Sequence, residues 1–182
     1  MKIVAIPGSL RSNSSTHKII KAFGGKLPAE IEFEIYGQLQ NLPHFNDSDE
    51  IPAAVNELHN LITTADGIFF CIPEYAFGVP GSLKNALDWM VGSTVLTDKP
   101  VAVITAATGG DKAHASLLLT LTALSANIAE GGTLLISFVR SKLNENGEVK
   151  DAETEEAIAS VATALLLAVG HSEIKENFEQ LY

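Results

Sequence analysis

Apolar residues follow two alternating rhythms along this chain. Near-continuous runs of Val, Ile, Phe, Ala and Leu at 2–6, 67–72, 101–106 and 133–138 carry the pattern of parallel strands covered on both faces. At 31–36 the rhythm is strictly alternate, Ile31, Phe33 and Ile35 being separated by Glu32 and Glu34, which predicts an edge strand with one wet side. Between the runs the spacing changes to three and four, which predicts helices over 16–23, 53–63, 81–90, 112–126 and 152–169. Val55, Leu58 and Ile62 mark the second of these, Leu83, Leu87 and Met90 the third, and Ile158, Val161, Leu165 and Val169 the last. Acidic Asp151, Glu153, Glu155 and Glu156 suit the start of that last helix, and Gly170 suits its end.

Regular strand–helix alternation, with no repeat, low-complexity tract or linker, predicts a three-layer α/β fold. A single domain over 1–182, built on a doubly wound five-stranded parallel sheet, is the expectation. Composition agrees, since 46% of residues are hydrophobic and only 19% charged, a balance that favours a compact chain over a disordered one. The net charge of −10, with no run of Lys or Arg, argues against binding nucleic acid or an anionic membrane. No apolar stretch reaches the roughly 18 residues of a membrane span. The chain enters a strand at once, leaving no room for a secretory leader, and a lone Cys71 excludes an intrachain disulfide. A soluble cytoplasmic protein is therefore expected.

Three loops at the carboxyl ends of strands carry the candidate chemistry, because open α/β sheets bind ligands along that edge. The first, 7–16, packs five hydroxyl side chains and Arg11 into the eight residues from Ser9 to Thr16, directly before a helix. Free backbone N–H groups at a helix start, hydroxyls and a guanidinium make an anion cradle. The same residues equally suit an ordinary Ser-rich loop with a helix cap. The second, 73–80, is stiff and aromatic, with Pro73, Tyr75, Phe77 and Val79 as surface for a flat ring; a packed structural turn is the plainer reading. The third, 106–111, contains Thr108, Gly109 and Gly110, and its glycines allow close backbone approach to a ligand or simply a flexible connection. Neither G-x-x-x-x-G-K-[ST] nor G-x-G-x-x-G is present, which leaves a mononucleotide cradle at the sheet's switch point.

These residues resemble the NADPH-dependent FMN reductases of flavodoxin-like fold, which include quinone, azo-dye and chromate reductases. The resemblance rests on Gly8-Ser9-Leu10-Arg11 with Ser14 and Thr16, and on Pro73-Glu74-Tyr75 running into Pro80-Gly81-Ser82-Leu83-Lys84-Asn85-Ala86-Leu87-Asp88-Trp89; it covers roughly residues 1–140. It implies strand order 2-1-3-4-5, FMN as cofactor and NADPH or NADH as co-substrate. It implies that Ser9, Arg11, Ser14, Ser15 and Thr16 hold the FMN phosphate. Pro73, Glu74, Tyr75, Ala76 and Phe77 would line the isoalloxazine, with Thr108, Gly109 and Gly110 on its other side. Ala76 departs from the Asn usual in the family after Glu-Tyr. The resemblance also implies a small-molecule electron acceptor such as a quinone, and a homodimer or homotetramer.

Flavin chemistry needs no protein nucleophile, so no catalytic acid is assigned; Glu74 and Tyr75 are expected to orient their loop. The five histidines show no metal-ligand spacing. His114 is read as a solvated helix residue, with a nicotinamide contact as the alternative; His44 and Phe45 are candidates for the pocket rim, whereas Cys71 and Trp89 are expected in the core. Two other readings remain at this stage, a flavodoxin-like electron carrier without NAD(P)H turnover and a flavin-free binding module. Ser9-Leu10-Arg11, in place of a Thr- and Gly-rich phosphate loop, favours the enzyme.

Overall fold

The computed structural model describes residues 1–48 and 50–179. Strands β1 (Lys2–Pro7), β2 (Glu32–Ile35), β3 (Gly67–Ile72), β4 (Pro100–Ala106) and β5 (Asn127–Ile136) alternate with helices α1 (Ser15–Gly24), α2 (Ala53–Thr64), α3 (Gly81–Trp89), α4 (Asp111–Ala123) and α5 (Ala152–Glu179). All strand pairs are parallel, in the order β2-β1-β3-β4-β5. The expected α/β class and strand order are both observed.

The period of two along each strand sorts the core into halves. Val4, Ile6, Ile68, Phe70, Ile72, Val101 and Val103 pack beneath α2, α3 and α4, whereas Ile3, Ala5, Phe69, Cys71, Ala102 and Ile104 pack beneath α1 and α5. All six residues of β3 are buried, as its unbroken apolar run requires. On the α1 side Phe69 stacks on Phe23 with ring centroids 3.8 Å apart and planes 10° from parallel. Burying one such ring is worth roughly 1.5–3 kcal/mol.

Three elements differ from the sequence pattern. The fifth strand is expected at 133–138 and covered on both faces; instead β5 spans Asn127–Ile136, forms the second sheet edge and is only partly buried. Its pairing with β4 slips where Ile128 and Thr133 bracket the partners Val101 and Val103, so extra residues loop out around Gly131 at φ +73°. Glu130-Gly131-Gly132 looks like a break in sequence and is a bulge in space. Helix α4 stops at Ala123, short of 126, because Ser125 takes the left-handed conformation at φ +56°. Helix α5 continues through Gly170 to Glu179, so that glycine is no C-cap; the following residues include good helix formers and no proline.

Register places the strand ends level, with Pro7 beside Cys71, Ile72 beside Thr105 and Ala106 beside Ile136. The loops after β1, β3, β4 and β5 therefore leave the sheet along one edge.

Candidate functional site

The first two loops lie against each other. The Gly8 amide donates to the Cys71 carbonyl at 2.8 Å, and a Cβ at Gly8 would stand only 3.0 Å from Ile72 and 3.1 Å from Pro73. Only a residue without a side chain lets the chain after β1 pass this close to the chain after β3. Between them is a cleft of about 110 Å³ lined by Ser9, Arg11, Ser14, Ser15, Thr16, Pro73, Glu74, Tyr75, Thr108 and Arg140, with Ala106, Ala107 and Val139 at its base.

On the first loop, Ser9 and Thr16 are 3% and 1% exposed, which holds both hydroxyls close to the wall. Ser14 is the N-cap of α1, its Oγ accepting from the His17 amide at 3.3 Å and meeting His17 Nδ1 at 3.0 Å. Partial burial, helped by the nearby Lys21 ammonium, holds the His17 pKa below its ordinary value. The Ser15 and Thr16 amides open the helix and precede its first internal bond, so they remain as donors at the positive end of the helix dipole.

The second loop begins with a hairpin turn. Tyr75 and Gly78 exchange both backbone hydrogen bonds, 3.1 Å and 3.0 Å, around Ala76 and Phe77 at φ +48° and +59°. Positive φ at both central residues is the type I′ geometry that normally selects Asn-Gly. Phe77, at its tip, is 80% exposed. Ala76 and Phe77 thus stand outside the cleft that Pro73, Glu74 and Tyr75 line.

Glu74 ties the second loop to the third. Its Oε1 accepts from the Gly110 amide at 3.3 Å, and its Oε2 accepts from the Lys112 and Ala113 amides at 3.1 Å and 3.0 Å. The carboxylate caps α4 from another loop, where Gly110 at φ +110° supplies no side-chain cap. Of the third-loop candidates Thr108, Gly109 and Gly110, only Thr108 lines the cleft; Gly109 and Gly110 lie against Glu74.

The sequence reading overlooked Arg140. It sits on the 3-10 turn Val139–Lys142 after β5, anchored to the third loop by Phe138 N–H donating to Thr108 O and Val139 N–H to Ala107 O, both at 3.1 Å. The carboxyl-edge rule applied to the first, third and fourth strands applies equally to the fifth, and that signal would have found it.

Other candidates fall elsewhere. His114 Nδ1 meets the buried Thr105 Oγ1 at 2.9 Å, and burial lowers its pKa. The 42–45 segment is tied to α3, where Trp89 Nε1 and Asn85 Nδ2 both donate to Pro43 O at 2.9 Å and Phe45 meets Trp89 edge-on. Neither His44 nor Phe45 lines the cleft. Cys71 is fully buried, which pushes its thiol pKa far up. A larger groove of about 540 Å³ opens between α1 and the 146–149 turn, but Lys26 there is paired with Glu155 and none of the second or third loop reaches it. Among the described residues there is no cluster of His, Cys, Asp or Glu able to hold a metal, and no helix is long and apolar enough to cross a membrane.

Residues 1–141 match the family model described as NADPH-dependent FMN reductase. The chain belongs to that family. It is an NAD(P)H-dependent oxidoreductase with FMN as cofactor and NAD(P)H as co-substrate. The reductase is 30% identical to the NADH:(hydroxy)cinnamate reductase subunit CrdA of Vibrio ruber, over 83% of this chain and 78% of that one. It is 28% identical to a quinone reductase of Escherichia coli, over 90% and 93% of the two chains. Among solved structures it resembles FerB, an NAD(P)H:(acceptor) oxidoreductase of Paracoccus denitrificans, with a TM-score of 0.75, 26% identity and coverage of 93% and 97%.

Proposed function

We propose that the reductase holds FMN across the cleft between its first two loops and passes electrons from NAD(P)H to a quinone or a similar small acceptor. The observation carrying this reading is the convergence of loops 7–16 and 73–80 on one cleft, with five hydroxyl- or guanidinium-bearing residues on one wall and Pro73 and Tyr75 on the other.

The donor set suits the cofactor. Ser9, Ser14, Ser15 and Thr16 offer hydroxyls, the first turn of α1 offers amides, and Arg11 offers a planar fork matched to phosphate oxygens. Pro73 and Tyr75 would support one face of the ring system, and Thr108 would approach its edge. Gly109 and Gly110 then act through the backbone, allowing the third loop to pass close to Glu74. Ala76 and Phe77 would form a rim around the ring and take no part in holding the phosphate.

FMN, when bound, supplies the two-electron chemistry by accepting hydride from the nicotinamide and returning electrons to the acceptor. The protein's part is positioning. The cap from Glu74 to α4 fixes the spacing of the second and third loops, and the buried wall of Ser9 and Thr16 excludes water from the anion end. Quinones are favoured as acceptors by relatives named for quinone reduction and by the aromatic surface of Tyr75 and Phe77 beside the opening.

Purified protein should take up FMN, show flavin absorbance, and oxidise NADPH or NADH faster when a quinone is added. A colourless protein that ignores added FMN would sink the proposal; a yellow one that oxidises neither nucleotide would make it a carrier.

A further inference from the structure

The chain contains two arginines, Arg11 and Arg140, and both line the same small cleft. They come from loops 129 positions apart in sequence, one leading into α1 and the other following β5. Neither has a carboxylate within ion-pair distance among the described residues. Lys142, two residues beyond Arg140 on the same 3-10 turn, is paired with Asp151 at 3.0 Å. In a chain of net charge −10, two arginines that line one cleft without a carboxylate partner mark a place suited to an anion.

We infer that Arg140 is a second cation on the FMN phosphate, closing over it from the fifth-strand side while Arg11 closes from the first. This rests on the flavin reading above. Size assigns the anion end to this cleft, because about 110 Å³ is well below the roughly 300 Å³ from which pockets for whole drug-sized ligands begin. Such a space accommodates a phosphate and the carbon next to it, and leaves a three-ring heterocycle to the open surface beside Tyr75.

Charge makes the same assignment. A phosphate monoester carries about −1.5 to −2 at neutral pH, and a helix N-terminus offsets about half a unit of that. Arg11 alone would leave a dianion short of neutralisation inside an acidic protein. Arg140 removes the shortfall, and a second planar fork can reach the oxygen that Arg11 and the hydroxyls leave unserved. Its backbone is fixed by Phe138 at φ +52° and by the two bonds to the third loop.

The test compares FMN with riboflavin, which lacks the phosphate, by fluorescence titration of the full chain freed of flavin. Arg140→Ala should weaken FMN binding about tenfold, the scale of one partly exposed charge-assisted hydrogen bond, and leave riboflavin binding where it was. Arg140→Lys should restore part of the loss, and the Arg140→Ala protein should lose FMN less steeply with added salt than the wild type. Equal losses for FMN and riboflavin, or no loss for either, would overturn the assignment, as would wild-type protein that binds the two equally well. Wild-type protein that binds neither would instead overturn the flavin reading itself. An unchanged urea midpoint in both variants shows that the fold is intact.

Discussion

Ala76 and Phe77 occupy the only adjacent pair of left-handed, non-glycine residues among the described positions. A Cβ in that region costs roughly 1–2 kcal/mol, and Asn tolerates it better because its short side chain bonds locally. The backbone conformation by itself would favour Asn at position 76, the residue the resemblance implies there. Ala76→Asn should raise unfolding stability by about 0.5–1 kcal/mol, read as a higher urea midpoint at constant slope. A lower midpoint would show that alanine is favoured there by a contact beyond the turn. Residue identity alone was enough to place Ser9, Arg11, Ser14, Ser15 and Thr16 at one wall, because they share eight consecutive positions before a helix. The signs of φ at 76 and 77 were not legible, since nothing in Tyr-Ala-Phe-Gly resembles the Asn-Gly signal of a I′ turn.

The segment running through α3, the most distinctive stretch of this sequence, turns out to be mostly architecture. Leu83 and Leu87 are fully buried, Lys84 and Asp88 pair across one turn, and Asn85 and Trp89 hold the 42–45 segment. What touches the cleft is its approach, Pro73 to Tyr75. Glu74 links elements, accepting from three α4-end amides that lack any other cap. Glu74→Ala should cost about 1–2 kcal/mol, the scale of a lost N-cap. It should also speed hydrogen exchange selectively at the Lys112 and Ala113 amides; exchange quickening evenly across the protein would argue against a local cap. Sequence patterning found four of the helices and four of the strands within a few residues, and the start but not the end of α5, which runs past Gly170 to Glu179. It misjudged β5, where the Glu130–Gly132 bulge interrupts the apolar rhythm that the strand nevertheless resumes.

At the scale of the whole molecule, three partly buried histidines should make stability depend on pH near neutrality. Burial lowers the pKa of His17, His59 and His114, and the buried Nε2 of His59 has no hydrogen-bond partner. Below the unfolded value of 6.5 the unfolded chain takes up protons that the folded one resists, so unfolding gains and stability falls as pH drops. Thermal melts from pH 7.5 to pH 5.5 should therefore show a declining Tm, flattened by His59→Gln or His114→Gln. A flat or rising Tm over that window would contradict the burial of these rings. Strand order, the layering of helices and the common edge for the loops were all readable beforehand, because hydrophobic period and strand–helix alternation are recorded locally and handedness rules do the rest. The bonds from Glu74 to amides 36 to 39 positions away, the convergence of Arg140 with Arg11, and the slip in β5 leave no local trace. Those depend on how strand ends are brought level in space, which short-range pattern cannot record and packing of the finished sheet does.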